Sequence, residues 1–280
     1  MSGSQSDDAR GFEGFKDFER AGWQRAAAGY HDHFGALTRQ SVAALLDGVG
    51  AGPSTRLLDV ASGPGYAAGA AAERGAEVIG VDFSSEQVAA ARRHYPRASF
   101  QEGDAEALGF DDDSFDAVIS NFGMLHFPEP ERAIAEAHRV LRGGGRFGFT
   151  VWSAPEKAIG IGIILDAVQA HGDMDAPLPP GPSFFRFSEA AECRRCLGEA
   201  GFDAIEVAEI PMTWTLPSAA ALGRAAYAGT VRTNALLEAQ SPDARAAIDA
   251  AMAAAAQAYA TVEGALQIPM SAVLATARKG

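Results

Sequence analysis

The chain has 280 residues, 48% hydrophobic and 9% aromatic, which is enough apolar material for a sizeable core and excludes disorder along its whole length. Its 23 lysines and arginines face 36 aspartates and glutamates, a net charge of −13 with no basic stripe, so nucleic acid is a poor partner and a small molecule a better one. The polar, acidic start MSGSQSDDAR, and the lack of any run near the roughly 18 apolar residues of a membrane span, point to a cytoplasmic protein without a membrane segment.

Residues 1–10 read as a leader without fixed structure. Residues 18–46 carry a helical pattern interrupted around 31–35, which predicts two helices joined by a bend bearing Tyr30, His31 and His33. Short apolar runs then follow at 56–60, 77–81, 98–101, 115–120 and 146–152, and they read as strands. Helical stretches at 66–74, 85–95 and 129–141 separate them, the second stopping before Pro96 and the third followed by the glycine triplet 143–145. This alternation predicts a parallel sheet with crossover helices. A further helix is expected at 159–171, and the stretch DAPLPPGP at 175–182 reads as a rigid loop beside the site. Cys193 and Cys196 fall on a predicted helix over 188–200. Two cysteines make no disulfide framework, and no nearby Cys or His completes a zinc site, so reduced thiols and no metal are expected. A sixth strand is placed at 204–209, an alanine-rich helical stretch at 218–264 broken near Ser241-Pro242, and a last strand within 266–277. The fold class is α/β, a doubly wound, mostly parallel seven-stranded sheet. It is divided into an N-terminal helical cap (1–48), a core (49–212), a helical insertion (213–265) and a closing strand (266–280).

In an open parallel sheet, ligands bind outside the carboxyl ends of the strands where the strand order reverses. The polar residues at those ends are Asp59 with the loop 62–65, then Asp82, Asp104 and Asn121, at spacings of 23, 22 and 17 residues that each fit one strand unit. Gly63 and Gly65 let backbone approach a ligand closely. The dinucleotide fingerprint needs three glycines, which would fall at 61, 63 and 66, whereas this chain has Ala61, Gly63 and Tyr66. A nicotinamide-dependent dehydrogenase is thereby disfavoured. Asp82 still suits a ribose, because a carboxylate after the second strand can accept both ribose hydroxyls. The ligand expected is a nucleoside without a pyrophosphate.

The segments LLDVASGPGYAA, VIGVDFSSEQ, GDAEALGF, FDAVISNFGMLHF and RVLRGGGRFGFTVW, taken in order, resemble the successive motifs of class I S-adenosylmethionine-dependent methyltransferases. The nearest group is the type 11, ubiquinone/menaquinone-biosynthesis-like small-molecule enzymes, over about residues 50–155. The chain departs from the family's acid-x-G-x-G-x-G loop by carrying Ala61 at the first glycine, which is tolerable if φ is negative there. The resemblance implies S-adenosylmethionine as cofactor, with Ala61, Ser62 and Gly63 against its methionine part and Asp82 on the ribose. Phe83 would cover the adenine, Asp104 and the backbone of Ala105 would meet the adenine edge, and Asn121 would contribute through its backbone. Tyr30, on helices that fold over the cofactor in this family, would touch its carboxylate. Asp59 is read as ordering the loop through backbone N–H groups.

Methyl transfer from a sulfonium is an in-line displacement that needs alignment and exclusion of water, with no metal or covalent intermediate. His126 is the candidate base for a protonated acceptor; its alternative role is to cap the helix starting near Pro128. Trp152, Phe184, Phe185, Phe187, Trp214 and Tyr227, with Arg186 and Arg232, are read as the acceptor region and suit a planar aromatic or heterocyclic small molecule, with or without an anionic group. Within it, Trp152, Phe185, Arg186, Trp214 and Arg232 are the expected contacts, though Arg186 could equally bond Glu189. A protein that binds the cofactor without methylating, such as a cyclase, decarboxylase or sensor, stays open, and so does a homodimer.

Overall fold

A computed structural model describes residues 4–280, with side chains from Gly14 onward. The expected leader, residues 1–10, lies outside the residues whose side chains are described. From Ser4 the backbone belongs to α1 (Ser4–His33), followed by α2 (Gly35–Thr38) and α3 (Val42–Gly48), so the expected break falls at Phe34. The strands β1 (Arg56–Val60), β2 (Glu77–Asp82), β3 (Ser99–Glu102), β4 (Phe115–Asn121) and β5 (Leu141–Trp152) alternate with α4 (Tyr66–Glu73), α5 (Ser85–His94) and α6 (Pro130–Val140). Next come α7 (Ile159–His171), α8 (Ala190–Glu199) and β6 (Phe202–Ile210). The chain closes with β7 (Thr213–Leu216), α9 (Ala219–Ala228), α10 (Arg232–Glu238), α11 (Pro242–Ala256), β8 (Leu266–Pro269) and β9 (Ala272–Lys279).

The seven-stranded sheet runs in the order β3-β2-β1-β4-β5-β9-β6, and β9 is antiparallel to both its neighbours. From β1 the chain steps outward to β2 and β3, then returns to place β4 on the other side of β1. The crevice outside the tips of β1 and β4 is therefore where the winding reverses, the position at which such sheets bind ligands. Strand periodicity divides the core: Leu57, Ala117 and Ile119 point to one face with Leu45, Ala68 and Ala71, whereas Leu58 and Val118 point to the other with Ile134, Ile164 and Leu197.

Two elements differ from the sequence reading. β5 begins at Leu141 rather than at Arg146, because the glycine triplet is accommodated inside the strand by a register shift opposite Phe115 and Ala117, with Gly144 at φ +81°. The insertion is also not purely helical. Its first residues pair with Leu266–Pro269 in a two-stranded antiparallel ribbon, so the closing strand of the main sheet starts only at Ala272. Four residues alternating exposed and buried, with Trp214 and Leu216 inside, are too few for the period to stand out beside a long alanine-rich stretch.

Helix α1 packs directly on α9. A side-chain carbon at Gly29 would overlap the carbonyl of Ala228, so only glycine permits this approach, and it brings α1 over the carboxyl edge of the sheet.

On β5 the fully buried Phe149 ring lies 5.6 Å from the rings of both Phe147 and Phe187. Phe149→Ala is expected to cost about 3–5 kcal/mol of stability in urea unfolding, from lost burial plus the cavity left behind. A loss under about 1 kcal/mol would contradict this packing.

Candidate functional site

The chain leaves β1 through a turn with Ala61, Gly63 and Gly65 at φ values of +56°, +52° and +88°. Ser62 N donates to Val81 O (3.0 Å) and Gly65 N to Ser62 O (3.0 Å), so the turn is clamped against β2 before α4 begins. The expectation of a negative φ at Ala61 is therefore corrected. Its Cβ sits in the left-handed region at a cost of order 1–2 kcal/mol. A second such residue, Phe122 at φ +61°, follows β4, with its ring 4.2 Å from that of Trp152. The two tips nearly touch: a Cβ at Gly123 would come within 2.7 Å of the Ala61 Cβ. Backbone strain is thus gathered where the sheet reverses its winding.

Asp82 Oδ2 accepts from Gly63 N (2.8 Å), and its Oδ1 accepts from Ser84 N (2.9 Å). Asp59 Oδ2 accepts from Ala68 N (3.0 Å), the loop-ordering role read from the sequence. Its Oδ1, like Ser62 Oγ, has no hydrogen-bond partner among the described residues. Burial pushes the Asp82 carboxyl up to about 6, against its two backbone bonds and the nearby His126. Burial likewise pushes Asp59 up to about 8, against its one backbone bond and with the charge of Asp82 adding to the rise. On the other side of the crevice, Asn121 Oδ1 accepts from Ser41 Oγ (2.8 Å) and Thr150 Oγ1 (2.7 Å), and its Nδ2 donates to Thr38 O (3.2 Å). The amide is spent on fastening α2 to the sheet, which leaves the Asn121 backbone for a ligand.

One cavity joins these tips and runs beneath α1 and α10. Of the residues expected from the sequence to touch a cofactor or an acceptor, all except Phe185 and Arg186 line it. Asp104 is held there by an ion pair with Lys16 and by Glu106 N donating to its Oδ1 (3.0 Å). Tyr30 OH donates to Thr38 Oγ1 (3.2 Å), and Trp214 Nε1 donates to His33 O (3.0 Å), so both rings are fixed walls. His126 Nδ1 lies 3.0 Å from Glu19 Oε2, and the edge of Trp23 stands against the imidazole at 4.9 Å between centroids.

Arg186 is a correction. It pairs with Glu131 on α6 and, through Nε at 2.7 Å, with Glu192 on α8, rather than with Glu189 or a ligand. Those carboxylates satisfy its charge outside the cavity. Phe185 packs edge-on to Phe184 at 5.0 Å, and Phe184 is the ring that reaches the cavity wall. Cys193 and Cys196 are buried, unpaired thiols on α8, as read from the sequence, and burial pushes them up to about 12 and about 11. Among the described residues no cluster could hold a metal, and no helix is long and apolar enough to cross a membrane.

On α1 the sequence reading named Tyr30 but missed Lys16 and Trp23; the three are spaced by seven and so share one stripe of the helix facing the cavity. Glu19, one turn from Lys16 and Trp23, is fully buried behind His126.

Residues 58–149 match the methyltransferase domain family. A demethylmenaquinone methyltransferase of Renibacterium salmoninarum is 41% identical over 118 residues, which cover 42% of this chain and 50% of the relative. The chain spans about half the length of the curated relatives it matches. Among solved structures, the YcgJ protein of Bacillus subtilis superposes with a TM-score of 0.56 at 22% identity, covering 85% of this chain and 97% of that one. The [4+2]-cyclase SpnF superposes with a TM-score of 0.54 at 24% identity, covering 86% and 80%. At these identities the two structures share the fold.

The raised Asp59 carboxyl makes stability depend on pH. The folded chain keeps this proton to about pH 8, whereas the group ordinarily loses it near 3.8. Its contribution is full below the unfolded value and is lost as pH rises through the folded one. Thermal unfolding is expected to show the wild type weakening between about pH 4 and 8 and Asp59→Asn, whose oxygen can keep the Ala68 bond, weakening less. Parallel curves would exclude the protonated buried carboxyl.

Proposed function

We propose that the protein, whose residues 58–149 match the methyltransferase domain family, is an S-adenosylmethionine-dependent methyltransferase. It would act in the cytoplasm on an O, N or C atom of a small aromatic or heterocyclic metabolite. The observation that carries this reading is the convergence of four strand tips on one cavity, with Asp82 oriented by Gly63 N and Ser84 N at the second tip.

The residues fit a phosphate-free nucleoside cofactor. Asp59 and Asp82 stand at the glycine loop, where a pyrophosphate would meet two carboxyl groups. The cationic side chains on the cavity wall, among the described residues, are Lys16 and Arg232, and Lys16 is already engaged by Asp104 and Glu106. The free Asp59 Oδ1 and Ser62 Oγ, next to Ala61 and Gly63, offer polar partners to an amino-acid moiety. Tyr30 would border that moiety. Asp82 would accept from the ribose hydroxyls, Phe83 would cover the base, and Asp104 with Ala105 N would meet its edge.

When bound, the cofactor supplies an electrophilic methyl carbon: an acceptor lone pair forms the new bond, and the C–S pair stays on sulfur as a neutral thioether. The chain's own task is placement. Trp152, Trp214, Phe122 and Phe184 form an apolar enclosure that excludes water and holds a flat acceptor, and His126 is in position to take a proton.

Asp82→Ala is expected to weaken S-adenosylmethionine binding in calorimetry by about 1.5–3 kcal/mol, roughly 10- to 150-fold, through lost charge-assisted bonds. Unchanged affinity in a folded variant would remove the ribose assignment. Absence of binding to the wild type would remove the cofactor. Transfer of label from methyl-labelled cofactor to product separates methylation from a use of the cofactor without transfer.

A further inference from the structure

Beyond the cofactor loops, the cavity wall has a polar side that the function above leaves partly unused. Glu19 is completely buried on α1, and its Oε2 lies 3.0 Å from His126 Nδ1. A carboxylate only accepts, so Nδ1 is the donor in this contact, and in the neutral ring that leaves Nε2 as the acceptor. Trp23 stands T-shaped against the ring, so the Glu19 contact and the indole together fix its orientation on the cavity wall. Glu19 itself is not part of that wall and acts through the histidine.

Arg232, at the start of α10, is the second element. Its guanidinium lies 5.2 Å from the Phe15 ring centroid and 5.7 Å from that of Phe184, and it forms no ion pair among the described residues. Its buried Nη1 has no hydrogen-bond partner among them. Burial pulls its pKa down, and the charge of Glu19 opposes this. The contrast with Arg186, satisfied by two glutamates, is direct. A cation kept in an aromatic wall with an unused donor is costly unless an anion completes it.

We propose that His126, oriented by Glu19, and Arg232 form one acceptor subsite for a flat molecule that carries both an ionisable hydroxyl and a separate anionic oxygen group. This rests on the methyltransferase reading and specifies its substrate class. Arg232 holds the anionic oxygens through Nη1, the aromatic walls hold the ring, and the hydroxyl faces His126 Nε2. Its proton passes to Nε2 while the O–H electron pair remains on oxygen. Glu19 balances the resulting imidazolium, which returns the proton to water after transfer. Glu19 is thus a positioning residue, and the methylated atom is oxygen.

The test uses the full chain saturated with S-adenosylhomocysteine, so that no turnover occurs, titrated with hydroxynaphthoate isomers, 2-naphthol and 2-naphthoate. At least one hydroxynaphthoate should bind about tenfold or more tighter than 2-naphthol, and Arg232→Gln should reduce that margin to about threefold or less, with Arg232→Lys keeping part of it. The bound isomer should show the long-wavelength absorbance of its naphtholate at a pH where the free compound is protonated. That band should vanish in Glu19→Gln, while S-adenosylhomocysteine affinity and thermal unfolding stay close to wild type. If no hydroxynaphthoate gains over 2-naphthol, if the gain survives Arg232→Gln, or if the band survives Glu19→Gln, the subsite assignment is overturned and the cofactor assignment stands. Failure of the wild type to bind S-adenosylhomocysteine would overturn both.

Discussion

The Asp82 carboxylate, accepting one backbone N–H from the loop after β1 and another from the start of α5, is the interaction on which the site is built. To present Gly63 N to it, the chain must double back at the tip of β1, and it does so through three residues with positive φ. That reversal brings Ala61 so close to Gly123 that the tip of β4 has to turn sharply as well, with Phe122 in the left-handed region. Two strained turns and a buried acid are thus parts of one arrangement. Strain of this kind persists only where surrounding structure over-determines it, here the clamp of Ser62 N on Val81 O and the tilted packing of Phe122 against Trp152.

The second constraint is the attachment of the N-terminal helices. Asn121 joins Ser41, Thr38 and Thr150 in one hydrogen-bond cluster, so the cap is tied to the strand that flanks the crevice. The contact of Gly29 with Ala228 and the ion pairs of Lys16 with Asp104 and Glu106 fix α1 elsewhere along its length. A helix held at several points keeps the residues it carries in fixed places, with Trp23 and Tyr30 on the cavity wall and Glu19 behind His126. The strand tips supply one side of the cavity, while α1 and the start of α10 supply the other.

Legibility followed the range of the interactions. The parallel core was readable because each strand is a short apolar run closed by a polar tip, and the tips of β1, β2 and β4 mark their own ends with Asp59, Asp82 and Asn121. The ribbon of β7 and β8 was not, because its pairing joins residues some fifty positions apart and each strand has only four residues. Arg186 looked like an anion site because its partners, Glu131 and Glu192, are brought to it by helices distant or out of phase in the sequence. Glu19 carried no local mark at all, since a glutamate on a polar helix is ordinarily solvated. Only the docking of α1 turns it inward against His126. Ala61 shows the converse: the departure from glycine was visible, but its conformation was set by the clamp on β2 rather than by the residue's own preference.

A crystal structure of the chain bound to S-adenosylhomocysteine is the most direct test. Both ribose hydroxyls are expected within hydrogen-bond reach of the Asp82 carboxylate, with the sulfur directed toward the side of the cavity bounded by His126 and Arg232. A ribose held elsewhere with Asp82 free, or density for the compound outside this cavity, would contradict it.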